Sequence, residues 1–135
     1  MIDKSGWPPN PYASDCPTRR VLDRVADKWT VLILGLLAAK PIRFNEMRRA
    51  IQGISQKMLA QTLRTLERDG LVNRKAIATV PVTVEYSITP LGRTLAVSVD
   101  ALRVWAEKHI GEVTLAQRRY DKAAPRGAVS RASAP

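Results

Sequence analysis

Lys57, Gln61, Arg64 and Arg68 follow one another at spacings of four, three and four residues. On an α-helix these positions share one side, and Leu59, Leu63 and Leu66 fall on the other. Amide and cationic side chains of this length can read nucleic-acid bases. Gln pairs two-pronged with adenine, and Lys or Arg bonds guanine O6 and N7. Ser55 and Gln56 stand just ahead, where Ser suits an N-cap and the exposed amides of a helix start suit a phosphate. Base edges are therefore expected for Gln56, Lys57 and Gln61, and either base or backbone for Arg64. Ser55 is expected at a phosphate and Arg68 at the DNA backbone. The competing reading is a solvated charged face on a packed helix.

The other reactive candidate is the lone Cys16, which precedes Pro17 and lies one turn from Arg19 and Arg20. A helix start and nearby cations favour a thiolate, which oxidants and electrophiles can modify. The competing reading is a small, inert buried side chain. No nucleophile–base pair or phosphate-cradling loop stands out. One Cys and one His cannot form the usual zinc site. The expectation is thus no enzyme, no metal and no cofactor.

Elements must position these residues. Pro17 suits the first position of a helix. Val21, Val25, Trp29, Leu32 and Leu36 continue at helical spacing, with Asp27 placed to cap a new start. A short helix is expected over Arg43–Ile51 with Phe44, Met47 and Ile51 inward, and Gly53 closes it. The next spans Ser55–Asp69, with Gly70 at its end. Two short helices joined through a Gly-containing turn make a helix-turn-helix. Strands are expected over Leu71–Ala78 and Val82–Ile88, with an uncharged tip at Thr79, Val80 and Pro81. The hairpin makes the unit a winged helix. Arg74 and Lys75 open it as candidate backbone contacts, and Arg43, Arg48 and Arg49 are phosphate candidates on the preceding helix. Thr89 caps a long helix with Leu91, Leu95, Val99, Leu102 and Trp105 on one side. Gly111 is expected to interrupt it, with a further helix over Glu112–Lys122.

Bulk properties agree. The 135 residues allow one domain, and the formal charge of +10 favours polyanionic partners. Between Lys40 and Lys75 there are nine basic residues and three acidic ones, so the charge is concentrated on the motif. No signal-peptide core or membrane span is evident, which points to a cytoplasmic, bacterial protein with no membrane partner. The expected organisation is an N-terminal arm over 1–13, a DNA-binding and dimerisation domain over 14–122, and a disordered tail over 123–135. The fold class is mainly α with a small β-hairpin (α+β). Trp29, Tyr86 and Trp105 are candidate walls of a small-molecule pocket beside the long helix.

The motifs CP at 16–17, DKWTVLIL at 27–34, RFNEMRR at 43–49, GISQKMLAQTLRTLERDGLVNR at 53–74 and VPVTVEYSITPLG at 80–92 carry a resemblance. The chain resembles HxlR-type transcriptional regulators, a branch of the MarR-like winged helix-turn-helix proteins. The resemblance spans about residues 14–122. Ala26-Asp27 departs from it, since many relatives have Gly-Gly there. The resemblance implies a homodimer, joined through the N-terminal segment and the long C-terminal helix, on a near-palindromic double-stranded DNA operator. It implies repression more often than activation. It also suggests control by an oxidant or electrophile at Cys16, the alternative being a non-covalent effector. A non-specific nucleic-acid-binding protein is the remaining reading; Gln56 and Gln61 argue against it, because they add base readout rather than polyanion affinity.

Overall fold

A computed structural model describes Tyr12 and residues 17–124. The elements run α1 (Pro17–Val25), α2 (Lys28–Ala39), β1 (Ile42–Arg43), α3 (Phe44–Ala50), α4 (Gln56–Arg68), β2 (Val72–Ile77), β3 (Thr83–Ile88) and α5 (Pro90–Ala123). The arm expected over 1–13, Tyr12 apart, and Cys16 lie outside the described residues, as does the tail beyond 124. The chain divides into two compact units, Met1–Asp100 and Ala101–Pro135.

Asp27 separates α1 from α2. Its backbone is extended, and its carboxylate accepts the Trp29 N–H at 2.9 Å, so it caps α2 as its position suggested. The face read from spacing is only partly the inward one. Trp29 and Leu36 of α2 and Val25 of α1 pack against the core, but the buried residues of α2 are Thr30, Ile33, Leu34 and Leu37, while Leu32 is 42% and Val21 of α1 55% exposed. The α2 segment is apolar almost all round, so periodicity alone cannot select its core side. Its last turn is closed from α5, where the Arg93 guanidinium donates to the Ala38 carbonyl at 3.2 Å.

Three strands form the sheet rather than two, in the order β1-β3-β2, antiparallel throughout. Arg43 accordingly belongs to the two-residue β1 and precedes α3, instead of opening the helix. Ile42 pairs with Tyr86, and both are buried. A two-residue strand has no period of its own, and its pairing partner lies over forty residues away.

The core joins Ile33, Leu34 and Leu37 of α2 to Met47 of α3, Leu59, Leu63 and Leu66 of α4, and Val72 of β2. Burying each such side chain stabilises the fold by roughly 1.5–3 kcal/mol. Ile51 and Ile54 are also buried, one on each side of Gly53, whose φ of +87° makes the turn between α3 and α4. That backbone suits glycine.

The helix α4 ends in a Schellman motif. Gly70, at φ +76°, donates to the Glu67 carbonyl at 3.0 Å, and Leu71 N–H donates to Leu66 at 2.9 Å. The start of α5 is fastened to this turn. Thr89 Oγ1 donates to the Gly70 carbonyl at 2.7 Å and accepts the Gly92 N–H at 2.9 Å, while Thr89 N–H donates to the Leu71 carbonyl at 3.1 Å. A Cβ on Gly92 would stand 2.1 Å from that same Leu71 oxygen.

Helix α5 is continuous from Pro90 to Ala123, so the expected break at Gly111 is absent. One glycine lowers helix propensity by about 1 kcal/mol, which good neighbours absorb in a long helix. The stripe expected on one side divides: Val99 is buried with Gly92 and Ala96, and Leu95 packs partly buried against the core, whereas Leu91, Leu102 and Trp105 are exposed. The close backbone approach at Gly92 selects small residues at the contact, which a count of large apolar ones passes over.

Substituting Gly92→Ala forces α5 off Leu71. A loss of about 3 kcal/mol is expected, at the upper end of overpacking costs, read as a lower denaturant midpoint in urea unfolding.

Candidate nucleic-acid interface

Helix α4 has two unlike sides. Leu59, Leu63 and Leu66 are fully buried, and Thr62 joins them with its hydroxyl turned back to the Met58 carbonyl at 2.8 Å. Gln56, Lys57, Gln61, Arg64 and Arg68 are all exposed. The buried side anchors the helix against α2 and the sheet, so the polar side is presented on a fixed support. Ser55 is the N-cap, and its Oγ accepts the Met58 N–H at 3.0 Å. The hydroxyl keeps its proton for an outside acceptor, and the Gln56 and Lys57 amides have no partner within the helix.

The structure gathers several of the expected residues into one groove of about 790 Å³ between α3, the start of α4 and the wing. Arg43, Arg49 and Gln56 line it, facing Pro81, Val82 and Thr83 of the hairpin. Asn45, in the first turn of α3, also lines it; nothing in the local sequence marked that residue, because only the fold brings it beside Gln56. Met58 was missed as well. It is 40% exposed on the flank of α4, where a thioether can meet a thymine methyl.

Other candidates stand apart. Arg48 is exposed in the last turn of α3 and does not line the groove. Lys40, just before β1 and not among the expected contacts, approaches Glu46 to 3.7 Å, which offsets its charge. Arg74 and Lys75 both lie in β2 but on opposite faces of the sheet. Arg74 stands opposite Tyr86 and Lys75 opposite Glu85, which also faces Arg43 across β1. One acidic residue between two cations lowers the net charge on that face. Arg68 lies twelve residues beyond Gln56, roughly 18 Å along the helix, and lines a different cavity with Arg20, Arg24 and Asp69.

The wing tip is uncharged and ordered by threonines. Thr79 Oγ1 lies 2.7 Å from the Pro81 carbonyl and 3.2 Å from Thr83 Oγ1, while Val80 and Val82 are exposed. Of the residues expected to wall a pocket, Trp29 packs on the core near Gly53 and Tyr86 is buried in β3, both in the first unit; in the second unit the tilted rings of Trp105 and His109 lie 4.9 Å apart. Among the described residues no helix is long and apolar enough to cross a membrane.

The chain matches the model of the HxlR-like helix-turn-helix family over residues 24–114. It is 49% identical over 104 residues to the uncharacterized HTH-type transcriptional regulator YtfH of Escherichia coli (strain K12), covering 77% of this chain and 82% of that one. Among solved structures it resembles the putative transcriptional regulator ytfH from Salmonella typhimurium, with a TM-score of 0.77 and 46% identity, over 83% of this chain and 99% of that one. It also resembles the redox regulator HypR in its reduced form, with a TM-score of 0.66 and 38% identity, over 73% of this chain and 97% of that one.

Removing the α4 cap by Ser55→Ala is expected to cost about 1 kcal/mol. It should also speed hydrogen exchange at the Met58 amide relative to amides in the middle of α4, as measured by NMR.

Proposed function

The chain belongs to the HxlR-like helix-turn-helix family of transcriptional regulators, which are not enzymes, and on that premise we propose that it represses transcription as a homodimer on a near-palindromic operator. The observation that carries the reading is the exposed Gln56–Lys57–Gln61–Arg64 face of α4, opposite a fully buried leucine stripe. Gln56, Lys57 and Gln61 read bases from the N-terminal half of the recognition helix. Arg64 reaches a base or a phosphate. Ser55, Arg43, Arg48, Arg49, Arg74 and Lys75 hold the backbone, with Arg74 and Lys75 on opposite faces of β2. Arg68, at the distal end of α4, is the weakest member of this set.

The dimer is supported by the second unit of the chain. Leu102, Trp105, Val113 and Tyr120 are exposed, and with His109 and Ala116 they recur at spacings of three or four along α5. A stripe of this length on one helix suits a two-fold partner. Val113→Glu places a charge in its middle and is expected to shift sedimentation from dimer to monomer; an unaltered dimer would remove α5 from the interface.

HypR is described as a redox regulator. We extend that mode to Cys16, the residue immediately before α1, with thiol modification releasing the protein from DNA. Binding to fluorescent DNA from the protein's own upstream region, against excess unrelated DNA and with or without diamide, tests both parts. Specific binding is expected, lost with diamide and retained by Cys16→Ser. Gln61→Ala should weaken specific binding by about 1–3 kcal/mol and relax the base preference, whereas Arg74→Ala should weaken all sequences alike and lower the salt dependence by about one ion. Equal affinity for every DNA would sink sequence-specific regulation, and a diamide response surviving in Cys16→Ser would remove the cysteine from it.

A further inference from the structure

The helix-turn-helix over residues 44–68 packs its large apolar side chains with one exception. Met58 is 40% exposed, and among the described residues no other large apolar side chain between Leu32 and Val80 is exposed. It stands in the first turn of α4, the part of a recognition helix that meets base edges. Its backbone is held at both ends. Its N–H donates to Ser55 Oγ at 3.0 Å, and its carbonyl accepts the Thr62 hydroxyl at 2.8 Å. Thr62, four residues on, is buried, whereas Gln61, three residues on, is exposed. Met58 therefore borders the outward face. Its Cβ lies roughly 5–6 Å from that of Gln61, the usual separation of an i, i+3 pair.

We propose that Met58 is a specificity residue: its thioether covers the 5-methyl group of a pyrimidine in the major groove, within one base pair of the adenine that Gln61 reads. The inference rests on the function proposed above and names the chemistry that the recognition helix selects. An A·T pair presents two features in the major groove. The adenine edge offers N7 and N6–H, which a Gln amide bonds two-pronged, and the thymine edge adds a C5 methyl that cytosine lacks. Gln61 meets the first, and its apolar neighbour meets the second. A thioether suits the task, since it is unbranched, polarizable and adaptable in shape. A polar side chain at position 58 would gain nothing from a methyl group. The bonds to Ser55 and from Thr62 fix the backbone, so that contact orders only one side chain. The preference is for the methyl group, not for thymine as such. 5-Methylcytosine carries that group on the same carbon, so methylation of a cytosine at this position strengthens binding.

Operator DNA is selected from a randomised pool with the full-length protein, and affinities are measured by fluorescence anisotropy. Each thymine is then replaced in turn by deoxyuridine, which removes only the methyl group. One replacement, within one base pair of the position where Gln61→Ala loses its preference for adenine, is expected to weaken binding about fourfold, the effect of uncovering one methyl-sized group. Met58→Ala should bind thymine and uracil at that position alike, and Met58→Leu should keep most of the difference. Placing cytosine there and methylating its C5 should recover about fourfold in the unaltered protein and nothing in Met58→Ala. Circular dichroism and the urea midpoint compare the folding of the variants, and Met58→Gln, of similar length but polar, takes the place of an alanine variant that does not fold. Equal affinity for thymine and uracil at every position, a methyl effect that survives in Met58→Ala, or no adenine preference at Gln61 would overturn the inference and leave the proposed function standing. So would a methyl effect confined to pairs further from that adenine. A pool from which no sequence is enriched would overturn both.

Discussion

The contact between the Gly70-Leu71 turn and the start of α5 governs the geometry of the first unit. Thr89 supplies one hydroxyl that donates to Gly70 and accepts from Gly92, and its N–H bonds the Leu71 carbonyl. Gly92 allows the backbones to approach that closely, since a side chain there would collide with the Leu71 oxygen. The turn that ends α4 is thus hydrogen-bonded directly to Thr89, the residue before α5. Anything that moves α5 must pull on α4 or break these bonds. Interfaces of this kind shift between discrete arrangements more readily than they deform.

This junction also explains why α4 can be both anchored and exposed. Its leucine side is held in the core, its start is closed by Ser55, and its end is closed by the Schellman bonds. Little of its hydrogen-bonding capacity is left unspecified except along the outward face. A rigid helix places its amide and guanidinium groups before DNA arrives, so less ordering entropy opposes binding. The wing contributes differently. Its tip is apolar and hydroxylated, and its cations lie further back on both faces of β2. On the function proposed above, α4 then carries the readout and the hairpin positions it.

Much of this was legible in the chain. Ser55, Gly53, Gly70, Asp27 and Thr89 are punctuation with local causes, and each sits where its own chemistry requires. The leucine spacing of α4 marked its buried side, because that helix is strongly two-sided. Elsewhere local information was insufficient. The α2 segment is apolar on nearly every side, so Thr30 and Leu37 could not be told from Leu32 as core. Strand β1 exists only because β3 offers it an edge. In α5, Gly92 and Ala96 join Leu95 and Val99 on the core side because the backbone comes close, which a count of large apolar residues does not reveal. Gly111 did not break the helix, since a single glycine weighs little within thirty-four residues.

The sequence by itself determined the element types, the helix caps, the polar face of α4 and the family resemblance, all of which arise from interactions within a few residues. Only the tertiary structure decided which cationic and amide side chains share a surface. Arg43, Asn45, Arg49 and Gln56 meet beside the wing, Arg74 and Lys75 part to opposite faces, and Arg68 joins Arg20 and Arg24 at another cavity. The reason is physical. A charged side chain on a solvated surface carries no local signature of its neighbours, and its surroundings follow from packing between elements far apart in the chain.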